Sequence, residues 1–164
     1  MDDRLLERAK SGDSEALNTL LERHKHLAYT LARGYVREQA DAEDIVQEAF
    51  IRVFLHIRQF RSESLFSTWL FRIVYCEAMR YLKGKKPHEE LAAAEELHDK
   101  VEDDHTGEVR KAMNVLTAKE AVMVNLFYMG EKSIKEIAAI TLESASNIKV
   151  ILHRARQKMS KQKK

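Results

Sequence analysis

Residues 66–83 read FSTWLFRIVYCEAMRYLK and combine aromatic and basic side chains in one segment. Leu70, Val74 and Ala78 recur every four positions, which places them on one face of a helix. The opposite face carries basic side chains together with Cys76 and Met79. The stretch therefore predicts a helix with one face in a core and a basic face turned outward.

The same periodicity extends over most of the chain. Among 164 residues there are one proline and five glycines, a composition that favours helices over turn-rich sheets. Apolar residues repeat at three and four almost throughout, and no alternating run of strand length stands out. We expect an all-α protein with two small helical domains, over 1–84 and 107–164, joined by an acidic linker over 85–106.

The bulk composition excludes several classes of protein. No apolar run is long enough to cross a bilayer, and the N-terminus lacks the apolar region of a secretion signal, so we expect a cytoplasmic protein without membrane insertion. A single cysteine excludes a disulfide framework. There is no glycine-rich phosphate loop, and the histidines are not spaced as a ligand set. We expect no catalytic residues, metal, cofactor or small-molecule substrate.

The charges are separated along the chain. Residues 89–104 contain eight acids against Lys100 alone, whereas residues 147–164 contain seven bases and no acid. Such a basic end indicates an anionic partner.

A helix predicted over about 42–57 has two contrasting faces. The apolar face, directed to the core, contains Ile45, Val46, Ala49, Phe50, Val53 and Phe54. The opposite face, called here the acidic outer face, contains Asp44, Gln47, Glu48, Ile51 and Leu55. Aliphatic side chains among carboxylates favour docking onto a basic protein surface.

The outward side of the helix over 67–83 suits a nucleic acid. This basic face holds Arg72, Cys76, Met79, Arg80 and Lys83, with Tyr75 on its flank. Phosphate contacts combined with stacking on unpaired bases require such side chains. Phe66 and Trp69, at the N-terminal end, are candidates for a wedge against an opened base step. Simple core packing of the aromatics is the alternative.

The stretch SIKEIAAITLESASNIKVILHRARQKM, over 133–159, predicts a helix-turn-helix in which Ser144 caps the second helix. The outward face of that helix presents small and basic side chains, which fit the major groove of DNA. They are Ser146, Lys149, Val150, His153 and Gln157, flanked by Arg154 and Arg156. A generic amphipathic helix pair is the alternative.

Taken in order, four segments resemble bacterial sigma factors of the extracytoplasmic-function type over nearly the full length. They are DAEDIVQEAFIRVF (41–54), FRSESLFSTWLFRIVYCEAMRYLK (60–83), LTAKEAVMVNLFYMGEKSIKEIA (116–138) and NIKVILHRARQKM (147–159). The resemblance implies a transcription initiation factor. Such a factor binds core RNA polymerase, directs it to promoters through the −10 and −35 elements, and assists strand opening. It also implies a cognate anti-sigma factor.

The resemblance assigns expected roles to three sets of residues. Polymerase contacts are implied for Asp41, Asp44, Gln47, Glu48 and Ile51. Reading and melting of the −10 element are implied for Phe66, Trp69, Arg72, Tyr75, Cys76, Met79, Arg80 and Lys83. Binding of −35 DNA is implied for Ser146, Lys149, Val150, His153 and Arg154.

Three residues depart from the family pattern. Cys76 stands where Asn is usual, at a base-contacting position. Leu142 replaces the usual glycine in the helix-turn-helix, so we expect a different turn there. Ile151 replaces a usual arginine, which removes one phosphate contact.

Two other functions compete with the initiation factor. A stand-alone helix-turn-helix regulator would bind duplex DNA without polymerase, but it has no need of the acidic outer face or of Trp69. An enzyme acting on nucleic acid lacks any recognisable catalytic set in this sequence.

Overall fold

The computed structural model describes residues 2–84, 112 and 114–162, and every regular element within these ranges is a helix. The first group contains α1 (Asp2–Lys10), α2 (Ser14–Arg33), α3 (Gln39–His56) and α4 (Phe66–Lys83), with a 3₁₀ turn at Ile57–Gln59 after α3. The second group contains α5 (Ala118–Val124), which continues as a π-helical turn over Asn125–Met129, then α6 (Ile134–Thr141) and α7 (Ala145–Lys161). The all-α prediction is confirmed, whereas the predicted acidic linker lies outside the described residues.

The first group forms around α2, which contacts α1, α3 and α4. Asp13 caps α2, because its side chain accepts a hydrogen bond from the backbone N–H of Ala16 at 3.1 Å. Leu20, Leu31 and Leu70 are fully buried between these helices. Each such side chain contributes about 1.5–3 kcal/mol through burial.

Buried residues of α3 occupy a narrower stripe than the sequence predicts. Ile45, Ala49 and Val53 face the core, but Phe54 is 59% exposed. Because successive helical residues are about 100° apart, the residue after Val53 turns away from the neighbouring helices. The prediction that Phe54 joins the core is therefore wrong.

Local sequence signals determine where the three helices of the second group begin. Thr117 and Ser133 each form a capping box, with Glu120 and Glu136 three residues later. Ser144 caps α7 as predicted, since its side chain accepts from the backbone N–H of Asn147 at 3.1 Å. The helix-turn-helix is thus formed by α6 and α7.

Leu142 closes α6 in the left-handed conformation, with φ 61° and ψ 15°. The turn is therefore the one that glycine favours, adopted here by leucine. The expectation of a different turn is wrong, because the backbone N–H of Leu142 still bonds to the carbonyl of Ala138 at 2.9 Å and holds this geometry.

The two groups of helices pack against each other, and the main contact is between α4 and α6. Gly34 lies directly against Val122, and Gly130 lies against Leu27. Lys132 is 5% exposed in this contact. The second group consequently covers part of α4.

Candidate nucleic-acid interface

The basic face of α4 borders the contact between the two groups. Arg72, Arg80 and Lys83 are exposed, whereas Tyr75, Cys76 and Met79 are half-buried. A cavity of about 680 Å³ brings five of these six residues together, all except Arg72. Its other lining residues are Gly34, Tyr35 and Leu82 from the first group and Ala118 and Leu142 from the second.

Arg72 itself contacts the second group. Its Nη1 donates a hydrogen bond to the carbonyl oxygen of Ala139 in α6, at 3.3 Å. In this arrangement α6 therefore lies beside the surface that the sequence predicts for DNA.

Two tyrosines line the cavity. The rings of Tyr35 and Tyr75 meet edge to face, with centroids 5.7 Å apart. Burial raises the pKa of both hydroxyl groups, and the carboxylate of Glu143 raises the pKa of Tyr75 further. Both hydroxyls therefore remain protonated at neutral pH and can act as hydrogen-bond donors.

The aromatic residues at the start of α4 form a cluster with Phe60. Phe66 is 6% exposed and lies between the rings of Phe60 and His24, at centroid distances of 6.3 and 5.8 Å. Trp69 is half-buried against Phe60, with centroids 4.9 Å apart. Phe66 is thus packed into the core in this structure, which is the alternative that the sequence left open, and little of its surface is exposed because neighbouring rings enclose it.

The acidic outer face of α3 is exposed over its whole length. Ile51 and Leu55 are 45% and 65% exposed. Asp44, Gln47 and Glu48 are exposed beside them, and Asp41 is half-buried. Phe54 extends the exposed apolar side chains, a position that sequence reasoning assigned to the core. Its spacing of three residues from Ile51 is a signal that could have found it.

The second helix of the helix-turn-helix presents its predicted DNA-binding residues to solvent. Ser146, Lys149, Val150, His153 and Arg154 are all exposed. The opposite side, with Ile148, Leu152 and Ala155, is buried. Ile151 is 9% exposed and belongs to this core, so an arginine in its place would have to leave the packed side.

Arg156, next to this surface, is held by an aromatic neighbour. Its Nε donates to the Tyr128 hydroxyl at 2.8 Å, and the guanidinium lies 5.5 Å from the ring centroid of Phe127. Tyr128 is itself 54% exposed. The Arg156 guanidinium is therefore held in place beside the exposed face of α7.

Family models match both groups of helices. "Sigma-70 region 2" matches residues 20–88, and "Sigma-70, region 4" matches residues 106–159. The chain is 36% identical to the ECF RNA polymerase sigma-E factor of Haemophilus influenzae over 121 residues, and 41% identical to that of Escherichia coli strain K12 over 85 residues. The chain belongs to the sigma-70 factors, whose regions 2 and 4 it matches, and the relatives named above are of the extracytoplasmic-function type.

The extent of the matches differs between the relatives. The alignments cover 73% and 51% of this sigma factor, but only 64% and 44% of the Haemophilus and Escherichia proteins. The chain thus spans less than two thirds of the curated relatives it matches.

Two solved structures share the fold of this sigma factor. CnrH, solved in complex with the cytosolic domain of CnrY, superposes with a TM-score of 0.67 at 24% identity, covering 97% of this chain and 94% of CnrH. The sigma factor RpoE of Bartonella quintana, solved with the anti-sigma factor NepR, superposes with a TM-score of 0.66 at 20% identity. It covers 88% of this chain and 94% of RpoE. At these identities the likeness concerns the fold.

Two nearly buried charged residues of this sigma factor, Lys132 and Glu77, were not predicted from the sequence. Lys132 donates a hydrogen bond from its ammonium group to Ser67 Oγ and lies 5.8 Å from the ring centroid of Phe71. Burial lowers its pKa. Glu77, 7% exposed, forms ion pairs with two arginines. A signal for Glu77 was present, since it is the single acid in a basic helix and precedes Arg80 by three positions.

His24 borders the same contact from α2. Its ring faces Phe71 edge to face, with centroids 6.0 Å apart. Burial lowers the pKa of His24, Asp2 opposes that shift, and the charges of Lys132 and Arg23 add to it. At neutral pH the imidazole is therefore uncharged.

In the part of the chain that the structure describes, no group of three or more His, Cys, Asp or Glu side chains is arranged to hold a metal ion. No helix in the same ranges is long and apolar enough to cross a membrane.

Proposed function

We propose that this protein is a promoter-specificity subunit of RNA polymerase, which binds the core enzyme, recognises promoter DNA and assists strand opening. The observation that carries the proposal is the coexistence of three outward surfaces in one chain: the acidic outer face of α3, the basic face of α4 and the exposed face of α7. The sigma-E names of its relatives point to the same activity.

Within this proposal each surface has its own partner. The acidic outer face of α3 meets a basic surface of core polymerase, with Asp41 at its edge and Phe54 adding apolar area. The basic face of α4, with Trp69 near its N-terminal end, contacts the −10 element and the opened strands. The exposed face of α7 enters the major groove at the −35 element. The domains correspond to residues 1–84 and 107–164, with the linker at 85–106.

Other parts of the proposal follow from the same role. The protein supplies recognition and strand separation and has no catalytic residues of its own, and it acts in the cytoplasm, where promoters and polymerase are found. A cognate anti-sigma factor is a further expected partner, since RpoE of Bartonella quintana was solved with one. A stand-alone helix-turn-helix regulator is less favoured, because it leaves the exposed Ile51, Phe54 and Leu55 without a purpose.

A charge-reversal experiment on α3 tests the proposal. Asp44→Arg with Glu48→Arg places two cations on the acidic outer face, and we expect core-polymerase binding to fall by at least about tenfold because like charges then meet. Binding is measured with purified core enzyme, and helix content by circular dichroism.

The matched control reverses two exposed acids on another helix. Glu15→Arg with Glu22→Arg on α2 makes the same change in net charge away from α3, and it should leave core binding within about twofold of the wild type. Equal binding by wild type and the α3 variant, with both folded, would refute the assignment of this surface to polymerase.

A further inference from the structure

Glu77 is a nearly buried carboxylate between two helices with different proposed partners. It lies on α4 and is 7% exposed. Its Oε1 forms an ion pair with the guanidinium of Arg52, which lies on α3. The same oxygen accepts a hydrogen bond from Nη1 of Arg80, one turn further along α4, at 2.9 Å. One carboxylate thus joins an arginine of the polymerase-facing helix to an arginine of the promoter-facing helix.

These two contacts reduce the conformational freedom of the arginine side chains more than that of Glu77. The carboxylate is fixed by burial and by its helix, while the side chains of Arg52 and Arg80 are 41% and 59% exposed. A guanidinium is a planar group with five N–H donors in a fixed fork. Because Glu77 engages the Arg80 guanidinium through Nη1, the donors on Nε and Nη2 are left for another acceptor.

We propose that Glu77 is a positioning residue that holds the Arg80 guanidinium in the orientation in which it binds a promoter phosphate, and that Arg52 anchors Glu77 from α3. The inference rests on the proposed function, in which the basic face of α4 meets DNA. Glu77 itself touches no DNA and acts through Arg80.

Removing the carboxylate has two consequences of opposite sign. An unheld Arg80 must be ordered at the moment of binding, and the entropy of ordering one long side chain corresponds to roughly a two- to tenfold loss of affinity. Removal of a negative charge near DNA instead strengthens sequence-independent attraction to phosphate. A non-promoter duplex is held by general attraction to phosphate and does not place α4 on an opened −10 element, so only the promoter complex engages Arg80 in the held orientation. Glu77→Gln should therefore weaken promoter binding while leaving non-specific duplex binding equal or stronger.

The experiment uses reconstituted holoenzyme with full-length protein. Wild type, Glu77→Gln, Arg80→Ala and the double variant are compared for affinity to a promoter fragment and to a non-promoter duplex of equal length, at one salt concentration. The control is Glu22→Gln, which neutralises the acid of a surface pair with Lys25 at the same three-residue spacing. Core binding and helix content are measured for every variant.

The expected result is a two- to tenfold loss of promoter affinity for Glu77→Gln that disappears in the Arg80→Ala background. Glu22→Gln should leave promoter affinity unchanged. An equal loss with and without Arg80 would overturn the positioning role, since Glu77 would then act through the fold alone. A gain in promoter affinity would also overturn it, since Glu77 would then shield Arg80 from phosphate.

Failure of the underlying function gives a different result. If Arg80→Ala leaves promoter affinity unchanged, Arg80 is not a DNA contact, and the roles of α4 and of Glu77 fall together. If Arg80→Ala weakens promoter binding but the Glu77 effect does not depend on it, only the inference about Glu77 falls.

Glu77→Asp provides the test if the glutamine variant does not fold. It keeps the charge but draws the carboxylate back by one methylene, so the bond to Arg80 lengthens. We expect a loss smaller than that of Arg80→Ala and absent in its background. A loss that persists without Arg80 contradicts the proposal.

Discussion

Gly34 lies at a close approach between the two groups of helices. A Cβ atom built on Gly34 would come nearer than 3.0 Å to Cγ2 of Val122 in α5. Gly34 has φ −65°, which any residue adopts, so alanine there meets no backbone strain. Gly34→Ala therefore acts as a wedge at this contact.

The size of the effect follows from the overlap. To reach ordinary van der Waals contact, Val122 and the new methyl group must separate by about 1 Å. Overpacking of a tight contact costs about 1–3 kcal/mol. A penalty of that size on the closed arrangement raises the ratio of open to closed molecules roughly 5- to 150-fold.

Cys76, the only cysteine, reports on the opening because it is half-buried in a cavity that Ala118 and Leu142 of the second group also line. We expect Gly34→Ala to raise the rate at which a maleimide labels Cys76, up to the rate of a fully exposed thiol, and to lower the free energy of unfolding by about 1–3 kcal/mol. The rates are measured at constant pH, and unfolding is followed in urea.

Two further variants test whether the clash between residue 34 and Val122 causes the faster labelling of Cys76. Gly84→Ala, at a helix end where the nearest atom is 3.4 Å away, should be neutral or stabilise by up to about 1 kcal/mol. Val122→Ala combined with Gly34→Ala removes the clashing methyl group and should return the labelling rate towards the wild type. An unchanged labelling rate in Gly34→Ala, or no recovery with Val122→Ala, refutes the reasoning.

Three further predictions concern single side chains. Because burial lowers the pKa of His24 from its ordinary 6.5, the unfolded chain binds the proton more tightly, and the free energy of unfolding should fall as pH drops below 6.5. His24→Gln should flatten this part of the urea-unfolding profile, and an unaltered slope would contradict it. Leu142→Asn should raise the free energy of unfolding in urea by about 1 kcal/mol, because asparagine tolerates the left-handed conformation. A lower free energy of unfolding in this variant would contradict backbone strain at the turn. Trp69→Ala holoenzyme should still protect the −35 element but lose permanganate reactivity of thymines near −10, and a promoter already mismatched there should restore transcription. If the mismatch does not help, Trp69 serves only in packing against Phe60.

Local signals in the sequence account for most of the helices. Polar residues before apolar runs begin α2 and α7, where Asp13 caps α2 and Ser144 makes the cap that the sequence predicts for α7. The spacing of apolar residues also predicts which sides of α4 and α7 are outward, because a face of a helix is defined by positions three and four apart. The family, and the function proposed from it, rest on the order of these motifs along the chain.

Packing between distant segments determines which of the apolar residues are buried, and sequence periodicity does not predict this. Phe54 and Phe66 have the same residue type and lie on predicted helices, yet one is 59% exposed and the other 6%. The difference arises because Phe60 and His24 cover Phe66, while no helix in the described part of the chain covers Phe54. A pattern of spacing defines a face but does not name the element that covers it.

The contacts between the groups are likewise a property of tertiary structure. The sequence alone determined an all-α protein with a helix-turn-helix, an acidic outer face and a basic face, since these follow from neighbours within one or two turns. Only the tertiary structure placed α6 against α4, buried Lys132 beside Ser67, and joined Arg52 to Arg80 through Glu77. These contacts join residues of separate helices, and the free energy of such pairs depends on burial and geometry that no local pattern encodes.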